Sequence, residues 1–271
     1  MMRYQLERFL GAGGFGDVWL ATDTVTNQNV AIKFLRQVSR ENLQRFQREA
    51  RIYWQEQDNQ FIVKLLNYDF SLPNPYMVLE YCERGSLRSW MLCNWYDVAV
   101  AIQHAALGLA SIHQKGGIHR DIKPDNLFVS RTDKGLNIKV GDFGYGRLPF
   151  PFTNSVMTCS AHGTDGYIAP ELYCGSEFNP KCDIYSLGIT GIELITGSKE
   201  RDSITRPWIS GEVKDLLIRM TSSKQEKRPD AEVVADTART ICQTYQSNFK
   251  TVAAIGLGLL AIALFSPKSR K

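Results

Sequence analysis

The sequence predicts an α+β chain: a small β-rich lobe, then a larger helical lobe, with a cleft between them. Three observations lead there. Short β-branched and apolar runs crowd the first eighty or so residues. Long stretches with helical spacing of apolar residues fill the remainder of the chain. Within the second half stands His119-Arg120-Asp121-Ile122-Lys123-Pro124-Asp125-Asn126, six polar or ionisable side chains in eight residues. Apolar runs flank it, and its proline excludes ordinary helix interior.

The elements run in order along the chain. Residues 4–10 and 17–22 read as strands around a glycine-rich turn, and NVAIKFL (29–35) as a third. A helix is expected over 41–57, with Leu43, Phe46, Ala50, Tyr53 and Trp54 on its apolar face. FIVKLLNYDF and YMVLEY supply two more strands, making a five-stranded sheet with one helix. WYDVAVAIQHAALGLASIHQK (95–115) is a long helix, and the short runs LFVS and LNIKV form a hairpin. CDIYSLGITGIELITG (182–197) is apolar enough to sit at the centre of the second lobe. SGEVKDLLIRMTS and RPDAEVVADTARTICQTY are further amphipathic helices.

Composition narrows the function. The 271 residues carry a formal charge of +4, and Lys250, Lys268, Arg270 and Lys271 account for all of it. A neutral body argues against an electrostatic nucleic-acid binder. The six cysteines form no CxxC pair and no zinc spacing, which suggests free thiols in a reducing cytosol. The N-terminus has no apolar run of signal-peptide length.

Gly11-Ala12-Gly13-Gly14-Phe15-Gly16-Asp17-Val18 reads G-x-G-x-x-G-x-V. Glycines let backbone N–H groups approach phosphate oxygens. A strand comes next where a dinucleotide site needs a helix, so a flap over phosphates is expected. Lys33 closes VAIK on the third strand and shares a face with Ala31. A cation there suits nucleotide phosphates and needs a carboxylate to hold its stem. Glu49 is the best candidate, with Glu41 and Glu56 as rivals. In HRDIKPDN, Asp121 suits a base for a hydroxyl nucleophile. Lys123 suits a transferring phosphoryl group, and Asn126 a hard cation such as Mg²⁺. Asp142 in GDFG is a second hard ligand, which the hairpin would return beside Asn126.

With these motifs in order, the chain resembles the eukaryotic-type (Hanks-type) serine/threonine protein kinases over about residues 4–246. The resemblance rests on the glycine loop, VAIK, HRDIKPDN, DFG at 142–144 and Ala169-Pro170-Glu171. Asp183 and Arg228 match the family's two buried anchors in the large lobe. It implies the two-lobed protein kinase fold, with a small lobe at about 4–82 and a large lobe at about 83–246. It implies ATP and Mg²⁺ as cofactors and a protein substrate with a Ser/Thr acceptor. Lys33 would bind the α and β phosphates and pair with Glu49, while Asn126 and Asp142 would hold Mg²⁺. Asp121 would be the catalytic base, and Lys123 with Thr164 the Ser/Thr pattern. Leu79 would be the gatekeeper, Glu80 to Cys82 the hinge against adenine, and Ala31 part of the adenine ceiling. His119 is expected to be a packed, hydrogen-bonded histidine. The alternatives are a pseudokinase binding module and a small-molecule phosphotransferase.

The resemblance also implies that Arg120 meets a phosphate on the segment Asp142 to Glu171, with Thr153, Ser155, Thr158 and Ser160 as possible acceptors. Two departures stand out. Gly146 comes soon after the DFG and is expected to loosen the segment. Only about thirteen residues separate LITG from the next helix, where the family usually has a longer insert with a docking helix. Residues 247–271 form a tail whose stretch TVAAIGLGLLAIALF (251–265) is uncharged. As a helix it would span about 22 Å, short of the ~30 Å hydrocarbon core. An apolar C-terminal helix acting as a membrane anchor is the preferred reading, with burial on the kinase as the alternative.

Overall fold

The structure is a computed structural model, described here for residues 3–13, 16–90, 94–132, 135–146 and 164–247. The small lobe is an antiparallel sheet of β1 (Tyr4–Ala12), β2 (Gly16–Asp23), β3 (Gln28–Leu35), β4 (Leu65–Asp69) and β5 (Tyr76–Glu80). Its strand order is β1-β2-β3-β5-β4. Between β3 and β4 the chain forms α1 (Arg40–Gln55). Ser39 caps it by accepting from the Asn42 N–H at 3.1 Å.

Phe46, Glu49, Ala50, Ile52 and Tyr53 make the buried stripe of α1. Trp54 does not join them, contrary to expectation, and is 65% exposed. On a 3.6-residue helix Trp54 stands about 110° from the stripe's centre, beyond the reach of the sheet. Ile52 takes its place in the core.

The large lobe begins with α2 (Trp95–Gln114), capped by Asn94. The hairpin of β6 (Leu127–Thr132) and β7 (Gly135–Val140) comes next, with Leu127 opposite Val140. The short α3 (Pro170–Tyr173) precedes α4 (Pro180–Thr196), whose Leu187, Ile189 and Ile192 are at most 2% exposed. Then come α5 (Gly211–Met220) and α6, the helical residues 231–247. Between α4 and α5 lies one 3₁₀ turn, Arg201–Thr205, and no α-helix. The docking helix that the resemblance leads one to expect is missing there.

The lobes share a core. Ile62 bridges to Val140, the Val63 N–H donates to the Val140 carbonyl at 3.0 Å, and the Val140 N–H donates to the Phe61 carbonyl at 2.8 Å. The segment after α1 is therefore stitched to β7 of the large lobe. Buried Arg228 forks onto both oxygens of Glu171 at 2.6 Å each and lies 4.8 Å from the Tyr185 ring centre. That bidentate geometry is the strong form of the pair.

His104 of α2 tests this interface through pH. Its ring lies 4.9 Å from Phe61, and its Nδ1 accepts from the Ile138 N–H at 3.2 Å. Burial pushes its pKa down to about 4, whereas in the unfolded chain it is about 6.5. The unfolded state therefore takes up the proton first. The stability that His104 contributes is complete above about pH 6.5 and is lost as pH falls toward 4. Urea unfolding of the wild type should weaken more steeply over that window than unfolding of His104→Gln. Parallel curves would show that His104 is not the titrating group.

Candidate active site

Lys33 on β3 is 4% exposed. Its Nζ donates to Glu49 Oε1 at 2.7 Å and to Asp142 Oδ1 at 2.9 Å. One cation thus serves two carboxylates, leaving a net negative charge in the cleft. Burial alone would lower the lysine pKa, but Asp142 and Glu49 hold it above its ordinary value. Glu49 is the more deeply buried carboxyl. Burial pushes it up to about 7 against the pull of Lys33. Burial works upward on Asp142 too, but Lys33 outweighs it and keeps that carboxyl below its ordinary value. The rivals for Lys33 go elsewhere: Glu41 pairs with Arg45 at 2.6 Å, and Glu56 with Lys115 at 2.6 Å.

Gly13 of the glycine loop lies beside this centre, where a Cβ would be 3.7 Å from Asp142 Oδ2. Gly13 N–H donates to the Gly16 carbonyl at 2.8 Å. A Cβ on Gly16 would lie 2.4 Å from the Phe34 carbonyl oxygen, so the loop's descent onto β3 requires glycine. Gly11 and Ala12 end β1, Gly13 follows in the turn, and Gly16 and Val18 lie on β2, while Gly14 and Phe15 lie outside the described residues. Ala31 pairs with Leu79 across β3 and β5, and both are buried. The Glu80 carboxylate accepts from Lys139 at 2.9 Å. The Cys82 carbonyl accepts from the Gly85 N–H at 2.9 Å. Burial pushes the Cys82 thiol up to about 12, which keeps it inert.

The HRDIKPDN loop closes the cleft from below. Asp121 is 6% exposed. Its Oδ2 lies 2.8 Å from Lys123 Nζ and accepts from Asn126 Nδ2 at 3.0 Å. Thr164 donates its hydroxyl to Asp121 Oδ1 at 2.9 Å and accepts from Lys123 at 2.6 Å. Asp121, Lys123, Asn126 and Thr164 therefore form one hydrogen-bonded group. The hairpin returns the chain as expected, and the Gly141 N–H donates to the Asn126 carbonyl at 3.0 Å. Asp142 comes directly after it with φ of 58°. An amide oxygen and a carboxylate fit Mg²⁺, which takes few protein ligands and fills the rest with phosphate oxygens and water.

Asp183 is fully buried and holds this loop. It accepts from the His119 N–H and the Arg120 N–H at 2.8 Å each, and meets His113 Nε2 at 2.8 Å. His119 is a packed residue: its Nε2 lies 3.1 Å from the Gly141 carbonyl and its ring 4.9 Å from Phe143. The Arg120 guanidinium lies 4.5 Å from the Phe178 ring centre. Thr153, Ser155, Thr158 and Ser160 lie outside the described residues.

Sequence reasoning missed several contributors. Tyr53 sits one turn after Glu49, and its hydroxyl accepts from the Asp142 N–H at 2.8 Å. Its ring meets Phe143 edge-on at 4.8 Å. The i, i+4 spacing from Glu49 was the available signal. Arg88 joins Asp125, Glu193 and the Tyr167 hydroxyl at 3.0, 2.7 and 2.7 Å, and no local motif marks it. Residues 147–163 of the segment that Gly146 is expected to loosen lie outside the described residues, while Gly146 itself is closely packed. Its N–H donates to the Phe143 carbonyl at 2.8 Å, and a Cβ there would lie 2.9 Å from Ile52. Close packing against α1 explains the glycine.

The comparisons with known proteins agree with this geometry. Residues 4–243 match the family described as protein kinase domain. The serine/threonine-protein kinase pkn2 of Myxococcus xanthus is 32% identical over 211 residues, covering 72% of this chain and 24% of that protein. PknA of Corynebacterium glutamicum is 34% identical over 211 residues, covering 72% and 43%. PrkC of Bacillus subtilis is 34% identical over 202 residues, covering 72% and 30%. The chain belongs to the Hanks-type serine/threonine protein kinase family. The aligned part spans less than half the length of each of these relatives.

Proposed function

We propose that this chain is an active serine/threonine protein kinase that transfers the γ-phosphoryl group of ATP to a Ser or Thr hydroxyl of a protein. One observation carries the reading. Asp121 is held between Lys123 and Thr164 by bonds of 2.8 and 2.9 Å, at the end of a loop fixed by Asp183. A carboxylate so placed orients the acceptor hydroxyl and takes its proton as that oxygen bonds to the γ-phosphorus and the bond from the γ-phosphorus to the ADP oxygen breaks, releasing ADP. Lys123 stabilises charge on the transferring group. Lys33, kept in place by Glu49, holds the α and β phosphates, and the glycine loop lies over them. Asn126 and Asp142 would hold Mg²⁺, which neutralises the phosphate oxygens when bound. Ala31, Val18 and Leu79 would wall the adenine, with the backbone of Glu80 to Cys82 along its edge. The presence of Lys33, Asp121 and Asp142 in one connected site favours chemistry over a binding module.

Transfer of ³²P from ATP by wild type and by Asp121→Asn tests this assignment. The variant should be slower by about 10²- to 10⁴-fold, the usual weight of a general base. Equal transfer by the two proteins would remove Asp121 from that role.

The kinase domain is taken as 4–246, and 247–271 as a tail that tethers it to a membrane. Support for the tether is the uncharged stretch 251–265, which lies outside the described residues. Among the described residues no helix is long and apolar enough to cross a membrane. Deleting 250–271 should move the protein from the membrane pellet to the supernatant. Identical fractionation of the full-length and truncated proteins would contradict the tether.

A further inference from the structure

Glu56 ends α1 and is 4% exposed, a carboxylate that the proposed chemistry does not use. Such a group persists in a core only with partners. Here both come from the large lobe. Ser111 of α2 donates to Glu56 Oε2 at 2.6 Å, and Lys115 just beyond α2 lies 2.6 Å from Oε1. Lys115 Nζ also donates to the Gln55 carbonyl at 2.9 Å. The last turn of α1 has no basic residue of its own. The cation that complements its negative end is therefore supplied from the other lobe.

The same turn of α2 faces the catalytic loop. His113, between Ser111 and Lys115, reaches Asp183 at 2.8 Å, and Asp183 holds the His119 and Arg120 N–H groups ahead of Asp121. One helical turn thus ties α1 on one side and the catalytic loop on the other. Glu49 lies two turns back along α1 from Glu56, about 10 Å away on the same rigid helix. We propose that Glu56 is a positioning residue for phosphoryl transfer: Ser111 and Lys115 pin it to the end of α2, and this pin sets where Glu49 holds Lys33 relative to Asp121. The inference rests on the kinase reading for its effect on rate, but not for the pin itself.

The test combines Glu56→Gln, which keeps the side chain's shape, with Lys115→Met at a residue whose side chain is 44% exposed. Each should lower kcat/KM for MgATP by about ten-fold when rates are referred to the folded fraction. In a Glu49→Gln background, Glu56→Gln should add less than about two-fold, because both changes then act through one contact. A purely structural residue would instead give the same factor in both backgrounds, and that result would overturn the proposal. So would variants within about two-fold of wild type. Amide hydrogen exchange over residues 49–55 gives a readout that needs no turnover: it should quicken in both variants, and unchanged exchange would refute the pin. If the wild type itself transfers no phosphate, the kinase reading fails while the exchange result still decides the pin.

Discussion

Lys33 Nζ lies 2.7 Å from Glu49 and 2.9 Å from Asp142, and burying one cation between two carboxylates constrains everything around it. Breaking a buried ion pair costs about 3–5 kcal/mol because the remaining charge has no water. Each of the three groups comes from a different element: β3, α1 and the turn after β7. The charge balance thus fixes a helix and a loop against a sheet. It also leaves an excess negative charge in the cleft, and burial, by raising the Glu49 pKa, favours relieving that excess through a proton on Glu49. Tyr53 extends the constraint one turn further, accepting from the Asp142 N–H and packing on Phe143.

Asp183 plays the matching part in the large lobe without a full counter-ion. It is satisfied by two backbone N–H groups and by His113, and burial alone would raise its pKa. His113 and these N–H groups outweigh burial and keep it low, so it stays a hydrogen-bond acceptor. The backbone it grips leads straight into Asp121. Arg120 adopts φ of 71° in that grip, a left-handed conformation that the surrounding bonds over-determine. Both halves of the cleft are thus built by buried carboxylates whose partners lie far away in sequence.

Much of this is legible from the residues. β-branched runs mark the sheet, and the LFVS and LNIKV hairpin places Asp142 beside Asn126 because strand pairing dictates where the chain returns. Lys33, Asp121, Lys123 and Thr164 stand in recognisable motifs, and Glu49 is preferred from its place beside the apolar face of α1. What stays hidden is tertiary. Trp54 has an apolar side chain near the stripe, yet the sheet does not extend far enough to cover it. Gly146 reads as a loosening residue because a glycine's steric neighbour, here Ile52, cannot be read from local sequence. Glu56 reads as a rival for Lys33, since only the fold shows that α2 ends beside it. Arg88 carries no signal, because its partners Asp125, Tyr167 and Glu193 meet only when four segments converge.

Burial of Glu49 beside Asp142, with one lysine between them, has a signature in solution. Carbon-13 titration of the glutamate side chains in wild type and Glu49→Gln isolates the Glu49 carboxyl. It should titrate near about 7 in the wild type, and the signal should be absent from the variant. A Glu49 titrating in the ordinary range, about 4.3, would mean that burial beside Asp142 does not outweigh the pull of Lys33 and would contradict the central constraint.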